Sequence, residues 1–182
     1  MDFECLRGKA AKIKLMAFDA DGVLTDGGLI FGDRGEELKI FDAKDGQGLV
    51  CVQKFGIITA VITASENNSI RRRAENLGIN ECICNVKYKL KVLEEITAKY
   101  GITLENVSYM GDDLPDICVL EKTGLSCCPA DAVEEVKGKC DFVSSKNGGK
   151  GAVRELCDFI LRSKNVNPPD VLTANYKTAG AE

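Results

Sequence analysis

The sequence contains no histidine among its 182 residues. Without an imidazole, the chain cannot build a Ser-His-Asp triad, use histidine as an acid or base, or bind zinc through histidine ligands. Polar catalysis in this protein must therefore use carboxylates, lysine, hydroxyl groups or a hard metal ion.

Cysteines with chelating spacing are also missing, although the chain has nine cysteines. None forms a Cys-x-x-Cys pair, and neither Cys82/Cys84 nor Cys127/Cys128 has the spacing of a zinc chelate. Most of the cysteines lie in apolar runs. We therefore expect reduced cysteines that act as small core residues.

The longest uncharged apolar run, FGIITAVITAS, is too short to cross a bilayer, which needs about 20 residues. The first residues, MDFECLRGKAAKIK, lack the apolar region of a signal peptide, so we expect a cytoplasmic protein. A net charge of −4 disfavours nucleic acid and membrane as partners. The expected partner is a small molecule.

Short β-branched runs alternate with amphipathic stretches, which predicts an α/β fold with a mainly parallel sheet in a Rossmann-like three-layer α/β/α sandwich. We expect one domain over residues 1–163. The predicted strands cover residues 13–19, 57–63, 81–84, 107–111, 125–128 and 141–143. The predicted helices cover residues 46–55, 66–77, 87–100, 114–122, 131–137 and 150–162.

Two segments depart from this alternation. Residues 28–41, GLIFGDRGEELKIF, keep an apolar period of two on both sides of a Gly-Asp-Arg-Gly turn, which predicts a β-hairpin inserted after the first strand. Residues 164–182 contain two prolines and show no periodicity. We expect this C-terminal tail to be mobile or to dock on a neighbouring subunit.

Acidic and hydroxyl side chains follow several predicted strands. Asp19 and Asp21 end the run LMAFDAD, and Asp112 ends SYMGD. Because carboxyl ends of parallel strands meet at one edge of a sheet, Asp19 and Asp112 are expected to converge. Two carboxylates about 4 Å apart repel by about 4 kcal/mol at an effective dielectric constant near 20. A cation would relieve this repulsion, and an all-oxygen ligand set favours Mg²⁺.

Three alternatives concern the same polar residues. Asp113 or Asp116 alone is equally well explained as the cap of the helix that follows. A calcium loop around DADG needs an oxygen ligand where Val23 stands, so we reject it. GGKG, residues 148–151, opens a predicted helix and is either an anion site or a plain turn.

A phosphate beside an aspartate and a cation indicates covalent catalysis, in which Asp19 attacks phosphorus and forms an aspartyl phosphate. Asp21 could protonate the leaving alcohol and later deprotonate water. Thr63, at the end of another predicted strand, could offer its hydroxyl and backbone N–H to phosphate oxygens, and a lysine could neutralise charge in the transition state.

The ordered set DADGVLT, ITAS, a lysine before a helix and GDDLPD resembles the haloacid dehalogenase-like phosphatases. More narrowly, DGVLTDGG, FDAKDGQG, RRRAENLGI, YMGDD and GGKGAVRE look like the group that acts on 3-deoxy-D-manno-octulosonate 8-phosphate, and like its relatives that act on nine-carbon nonulosonate 9-phosphates. The likeness covers residues 13–162. It implies a phosphatase for a sugar-acid phosphate.

The resemblance also implies roles for individual residues. Asp19 would be the nucleophile, Asp21 the general acid and base, and Thr63 a phosphate ligand. Mg²⁺ would be held by Asp19, the backbone carbonyl of Asp21, and Asp112. Lys89 matches the family's lysine, because KYKL aligns with the usual Lys-x-Lys-Leu.

Residues expected to bind the sugar acid are less regular. The family usually has glycine and then arginine or glutamate after the threonine, whereas this chain has Ala64 and Ser65. The number of carbons in the substrate therefore stays open. Helical spacing places Arg73 near the core edge, where the relatives hold an arginine against the sugar acid, although a solvated arginine is the alternative. Lys44 could meet the substrate carboxylate.

Only 43 residues separate Asp19 from Thr63, and the hairpin takes up much of that segment, so no cap domain fits. An open site would lose electrostatic advantage to water. The relatives are tetramers in which each hairpin and tail covers a neighbour, and the resemblance implies a homotetramer here.

Two functions that involve no catalytic turnover are alternatives to a phosphatase. A receiver domain also places aspartates, a threonine and a lysine around Mg²⁺, but its phosphorylated aspartate stands alone on the third strand. A catalytically silent scaffold would need no intact set of chemical residues. Both fit the sequence less well than a phosphatase.

Overall fold

The computed structural model describes the backbone of residues 2–179 and the side chains of residues 2–173. Its strands are β1 (Leu15–Phe18), β2 (Ile30–Phe31), β3 (Glu37–Leu38), β4 (Ile58–Ile62), β5 (Glu81–Ile83), β6 (Val107–Met110), β7 (Leu125–Cys128) and β8 (Phe142–Val143). Its helices are α1 (Phe3–Ala11), α2 (Ala43–Lys54), α3 (Asn68–Leu77), α4 (Lys89–Tyr100), α5 (Ile117–Leu120), α6 (Glu134–Lys137), α7 (Ala152–Ser163) and α8 (Pro168–Ala179).

Six parallel strands form the central sheet in the order β5-β4-β1-β6-β7-β8. Alternate residues of β1 face opposite sides: Met16 and Phe18 enter a core with α1, α2, α3 and α7, whereas Leu15 and Ala17 enter a core with α4, α5 and α6. The expected three-layer α/β/α sandwich is confirmed, and β1 lies at its centre.

The hairpin expected over residues 28–41 is present as β2 and β3, with Ile30 opposite Leu38 in an antiparallel pair. Between Asp19 and Thr63 the chain forms this hairpin, α2 and β4, so there is no cap domain in that described segment. Four apolar side chains of the hairpin are exposed: Leu29, Phe31, Leu38 and Ile40.

Helices α1 and α8 were not anticipated. Helix α1 buries only Ala10, so its sequence carries almost no apolar period. Helix α8 begins at Pro168, a residue that suits the first turn of a helix because its missing N–H would have no partner there. Val171 and Leu172 pack against the core of the same chain. Docking of the tail on a neighbour stays a prediction, and residues 180–182 lie outside the described residues.

None of the described helices combines the length and the apolar character that a membrane span requires.

The start of α7 is held by a carboxylate from a distant helix. Asp45 of α2, which is 2% exposed, accepts hydrogen bonds from the backbone N–H groups of Gly151 (3.2 Å) and Arg154 (2.7 Å). These groups have no partner within their own helix, so the carboxylate acts as a cap. The site that GGKG could have offered to an external anion is therefore filled by the chain itself.

We expect Asp45→Ala to lower the free energy of unfolding by about 1–2 kcal/mol, because it leaves two N–H groups of α7 without an acceptor. Urea denaturation at neutral pH measures this. Glu94→Ala, on the exposed face of α4, is the matched control and should stay within about 0.5 kcal/mol of the parent. Equal stability of Asp45→Ala and the control would contradict the capping role.

Candidate active site

Polar residues at the carboxyl ends of β1, β4 and β6 line one pocket of about 270 Å³. The lining residues are Asp19, Asp21, Gly22, Gly27, Thr63, Ala64, Ser65, Lys89, Asp112, Asp113, Pro115 and Asp116. All the residues that the sequence nominated for catalysis and metal binding thus meet at one edge of the sheet.

The loop after β1 is held by close backbone packing. The Asp19 N–H donates to the carbonyl of Met110 on β6 at 3.0 Å. Gly22 has φ +75°, and a Cβ there would lie 2.0 Å from Oδ2 of Asp112. A Cβ on Gly148 would lie 1.8 Å from the carbonyl oxygen of Gly22. Glycine is required at both positions, and the double glycine before α7 serves to admit this loop.

Three carboxylates crowd the floor of the pocket. Oxygen atoms of Asp19, Asp112 and Asp116 all lie within 4.8 Å of one another. Lys89 Nζ lies 2.7 Å from Asp19 Oδ2 and 2.7 Å from Asp116 Oδ1. One ammonium therefore faces three acids, which leaves an excess of negative charge when all three are ionised.

The pKa values follow from this crowding. Burial raises the pKa of Asp19 to about 6, although the Lys89 charge opposes the shift. Burial, together with the charges of Asp19 and Asp116, raises the pKa of Asp112 to about 7. Burial alone would lower the pKa of Lys89, but the Asp19 and Asp116 charges outweigh it and the pKa is raised. Lys89 is therefore a permanent cation at neutral pH.

This donor set fits a hard divalent cation. Asp19 and Asp112 hold negative charge poorly because they are desolvated and close together, and a cation between them would remove that cost. Only oxygen ligands are available at the cluster, which suits Mg²⁺. Asp19 and Asp112 lie where they would hold it, and the expected contribution of the Asp21 backbone carbonyl stays a prediction.

The sequence left Asp113 and Asp116 as possible helix caps, and the structure separates them. Asp113 accepts from the N–H of Leu114 at 2.8 Å, in a capping box with Asp116. Asp116 does more: it is fully buried and also accepts from Lys89, from the Tyr109 hydroxyl (2.7 Å) and from the Asp112 N–H (3.1 Å). It therefore orients the lysine.

Thr63 differs in one respect from the expectation. Its backbone N–H donates to the carbonyl of Ile83 at 3.0 Å, so the expectation that this N–H binds phosphate is wrong. Its hydroxyl oxygen accepts from the Ser65 N–H at 3.1 Å. Parallel pairing with β5 extends one residue past β4, which explains the difference.

Two nominated substrate ligands lie away from the pocket of their own chain. The Arg73 guanidinium donates to the carbonyl of Asp42 at 3.2 Å, beside α2. Lys44 is exposed in the first turn of α2. Neither lines the acidic pocket, and their expected contact with the sugar acid stays a prediction.

Asp21 has a partner that the sequence did not suggest. Lys39, next to β3 of the hairpin, places Nζ 2.6 Å from Asp21 Oδ1. The alternating apolar pattern of residues 28–41 gave no reason to expect that the single lysine in this segment would contact a residue of the pocket.

Comparison with known proteins agrees with this geometry. Residues 52–156 match the family model of the haloacid dehalogenase-like hydrolases. The 3-deoxy-D-manno-octulosonate 8-phosphate phosphatase KdsC of Escherichia coli K12 is 42% identical over 153 residues, which cover 84% of this chain and 81% of that protein.

Solved structures of haloacid dehalogenase-like hydrolases are also similar to this chain. The 3-deoxy-D-manno-octulosonate 8-phosphate phosphatase from Moraxella catarrhalis, in complex with a magnesium ion, a phosphate ion and KDO, aligns with a TM-score of 0.90 at 38% identity, covering 96% of this chain and 99% of that one. A haloacid dehalogenase superfamily (subfamily III A) hydrolase from Legionella pneumophila aligns with a TM-score of 0.92 at 37% identity, covering 96% and 95%.

We expect the affinity for Mg²⁺ to fall by about 20-fold between about pH 8 and about pH 6, because protons compete for Asp19 and Asp112. Both pKa values are raised, so the ligands are ionised at the higher pH and protonated at the lower one. Calorimetric titration measures the affinity. Asp112→Asn should bind more weakly and with a flatter pH dependence, whereas Asp33→Asn in the hairpin turn should match the parent. A pH-independent affinity would contradict the assignment.

Proposed function

Because the chain belongs to the haloacid dehalogenase-like hydrolases, we propose that it is a phosphomonoesterase that converts 3-deoxy-D-manno-octulosonate 8-phosphate to the free sugar acid and phosphate. The observation that carries the proposal is the meeting of Asp19, Asp21, Thr63, Lys89 and Asp112 in one pocket. The identity of 42% to an enzyme of that name supports the substrate.

In the first half of the reaction, a carboxylate oxygen of Asp19 forms a bond to phosphorus while the bond from phosphorus to the sugar oxygen breaks. Asp21 gives a proton to that leaving oxygen. The Lys89 ammonium and the Thr63 hydroxyl bind the phosphoryl oxygens and stabilise their charge. The product of this half is an aspartyl phosphate and the free sugar acid.

In the second half, water attacks phosphorus, Asp21 takes its proton, and the bond from phosphorus to Asp19 breaks. Inorganic phosphate leaves and both aspartates return to their starting state. Mg²⁺, when bound by Asp19, Asp112 and the Asp21 carbonyl, supplies positive charge that offsets the phosphate and the carboxylates. Asp116 keeps Lys89 aimed at the pocket.

Nonulosonate 9-phosphates are the alternative substrates. Ser65 lines the pocket where an arginine or glutamate is usual, and it is small and uncharged. This leaves room for a longer sugar acid. A scaffold without turnover and a receiver-like switch are disfavoured by the complete set of catalytic residues around one pocket. A cytoplasmic location stays a prediction.

We expect kcat/KM for 3-deoxy-D-manno-octulosonate 8-phosphate to exceed that for nonulosonate 9-phosphates by about 100-fold, which corresponds to about 2.7 kcal/mol. Steady-state phosphate release with Mg²⁺ measures both values. Asp19→Asn should show no turnover with any substrate, since it loses the nucleophile while keeping its volume. The opposite preference would transfer the assignment to the nine-carbon substrates, and an active Asp19→Asn would refute the mechanism.

We also propose that the protein is a homotetramer in which each hairpin covers a neighbour's site. Leu29, Phe31, Leu38 and Ile40 are each more than half exposed, a concentration of apolar surface that is unusual on a monomer. The hairpin also borders the acidic pocket, because its Lys39 contacts Asp21, a residue that lines the pocket.

Light scattering should report four chains per particle. The double variant Phe31→Asp, Leu38→Asp should dissociate and lose activity, because charged side chains cannot enter an apolar interface. Phe3→Asp, which changes a similarly exposed phenylalanine on α1, is the control and should remain tetrameric. A fully active monomer would contradict the proposal.

A further inference from the structure

Around β3, the usual pattern of a surface strand is reversed: the apolar side chains are exposed and a charged side chain is buried. Leu38 and Ile40 point outward, 53% and 56% exposed, whereas the side chain of Lys39 between them is 0% exposed. Lysine is almost never fully buried without a charged partner. The position of Lys39 therefore calls for an explanation in terms of what its ammonium contacts.

The Lys39 ammonium joins two carboxylates. Its Nζ lies 2.6 Å from Oδ1 of Asp21 and 2.6 Å from Oε1 of Glu37. Burial alone would lower the pKa of Lys39, but the hydrogen bonds to both acids outweigh it and the pKa is raised. Lys39 therefore carries its positive charge beside Asp21 throughout the neutral range.

The strand is fixed to the body of the protein at this point. The side-chain amide of Asn67 donates to the Glu37 carbonyl at 2.9 Å, and Asn67 is itself the cap of α3. The hairpin is thereby tied to the segment that follows Thr63. The strand from which Lys39 contacts Asp21 is therefore anchored to the loop between β4 and α3.

The contact leaves the two oxygens of Asp21 unequal. Oδ1 accepts a hydrogen bond from Lys39 at 2.6 Å and a longer one from the Thr25 hydroxyl at 3.5 Å. No residue in the described part of the chain donates to Oδ2. An ammonium that holds one oxygen fixes the rotation of the carboxylate and leaves the other oxygen for proton transfer.

We propose that Lys39 is a positioning residue: it holds Oδ1 of Asp21 so that the remaining oxygen meets the leaving oxygen of the substrate. The inference rests on the proposed function, because it assigns the proton transfer to Asp21. Two other roles are testable against it. Lys39 could simply pin the hairpin through Glu37, or it could bind the substrate directly.

The test compares a leaving group that needs a proton with one that does not. Lys39→Met keeps most of the length of the side chain and removes the charge. With 3-deoxy-D-manno-octulosonate 8-phosphate, kcat should fall by about 10- to 100-fold while KM stays within about 3-fold. With p-nitrophenyl phosphate, the first-turnover burst of nitrophenolate should change by less than about 3-fold, because nitrophenolate leaves without general acid help.

Three further variants complete the design. Lys39→Arg should recover part of the lost kcat, since a guanidinium can also donate to Asp21. Glu37→Gln should cost less than about 3-fold, because the Asp21 contact remains. Lys139→Met, which removes an exposed ion pair with Glu121, is the control and should match the wild type. Unfolding curves establish that each variant is folded, and Lys39→Gln replaces Lys39→Met if the latter is not.

Several results would overturn the inference. An unchanged kcat in Lys39→Met would do so. An equal loss with both substrates, matched by Glu37→Gln, would indicate a hairpin anchor instead. A raised KM with unchanged kcat would indicate a substrate ligand. If the wild type hydrolyses neither phosphate, the proposed function itself fails, which is distinct from a wild type that works and a Lys39→Met variant that works equally well.

Discussion

The contact of one buried ammonium with a buried carboxylate and a partly buried one is the constraint on which the rest of the site depends. Lys89 lies 2.7 Å from both Asp19 and Asp116, and Asp112 adds a third acid within the same 4.8 Å cluster. Burial raises the pKa of Asp19 and of Asp112, and the Lys89 charge opposes both shifts. The lysine keeps the cluster partly ionised, and the residual negative charge is what draws a divalent cation.

The fold brings these groups together by backbone geometry. Strand β1 lies between β4 and β6, so the residues that follow these three strands meet without a long reach. The loop after β1 fits only because Gly22 and Gly148 lack side chains at their contacts. Asp45 then fixes the start of α7, which directly follows that second glycine contact. Close packing at two glycines and a buried helix cap thus position the catalytic side chains without supplying any of them.

The sequence predicted the sheet and the convergence of acids well because both depend on local patterns. A strand is visible as an apolar run, and the edge at which its polar successor lies follows from parallel pairing. The roles of Asp116 and Lys39 depend instead on partners 27 and 18 positions away in the chain. Spacing alone cannot reveal such pairs. Helix α1 escaped prediction for another reason, since it buries one residue and has no apolar face to read.

The hairpin has two faces with opposite character, which would link the proposed assembly to the proposed catalytic mechanism. Its outer face is apolar and exposed, as expected of a surface that a second chain covers. Its inner face carries Lys39, whose ammonium nitrogen lies 2.6 Å from Oδ1 of Asp21. A chain that covered the outer face would also restrain the strand that aims this lysine. Oligomerisation would then do more than exclude water from the pocket, because it would hold Asp21, the proposed proton donor, in a single orientation.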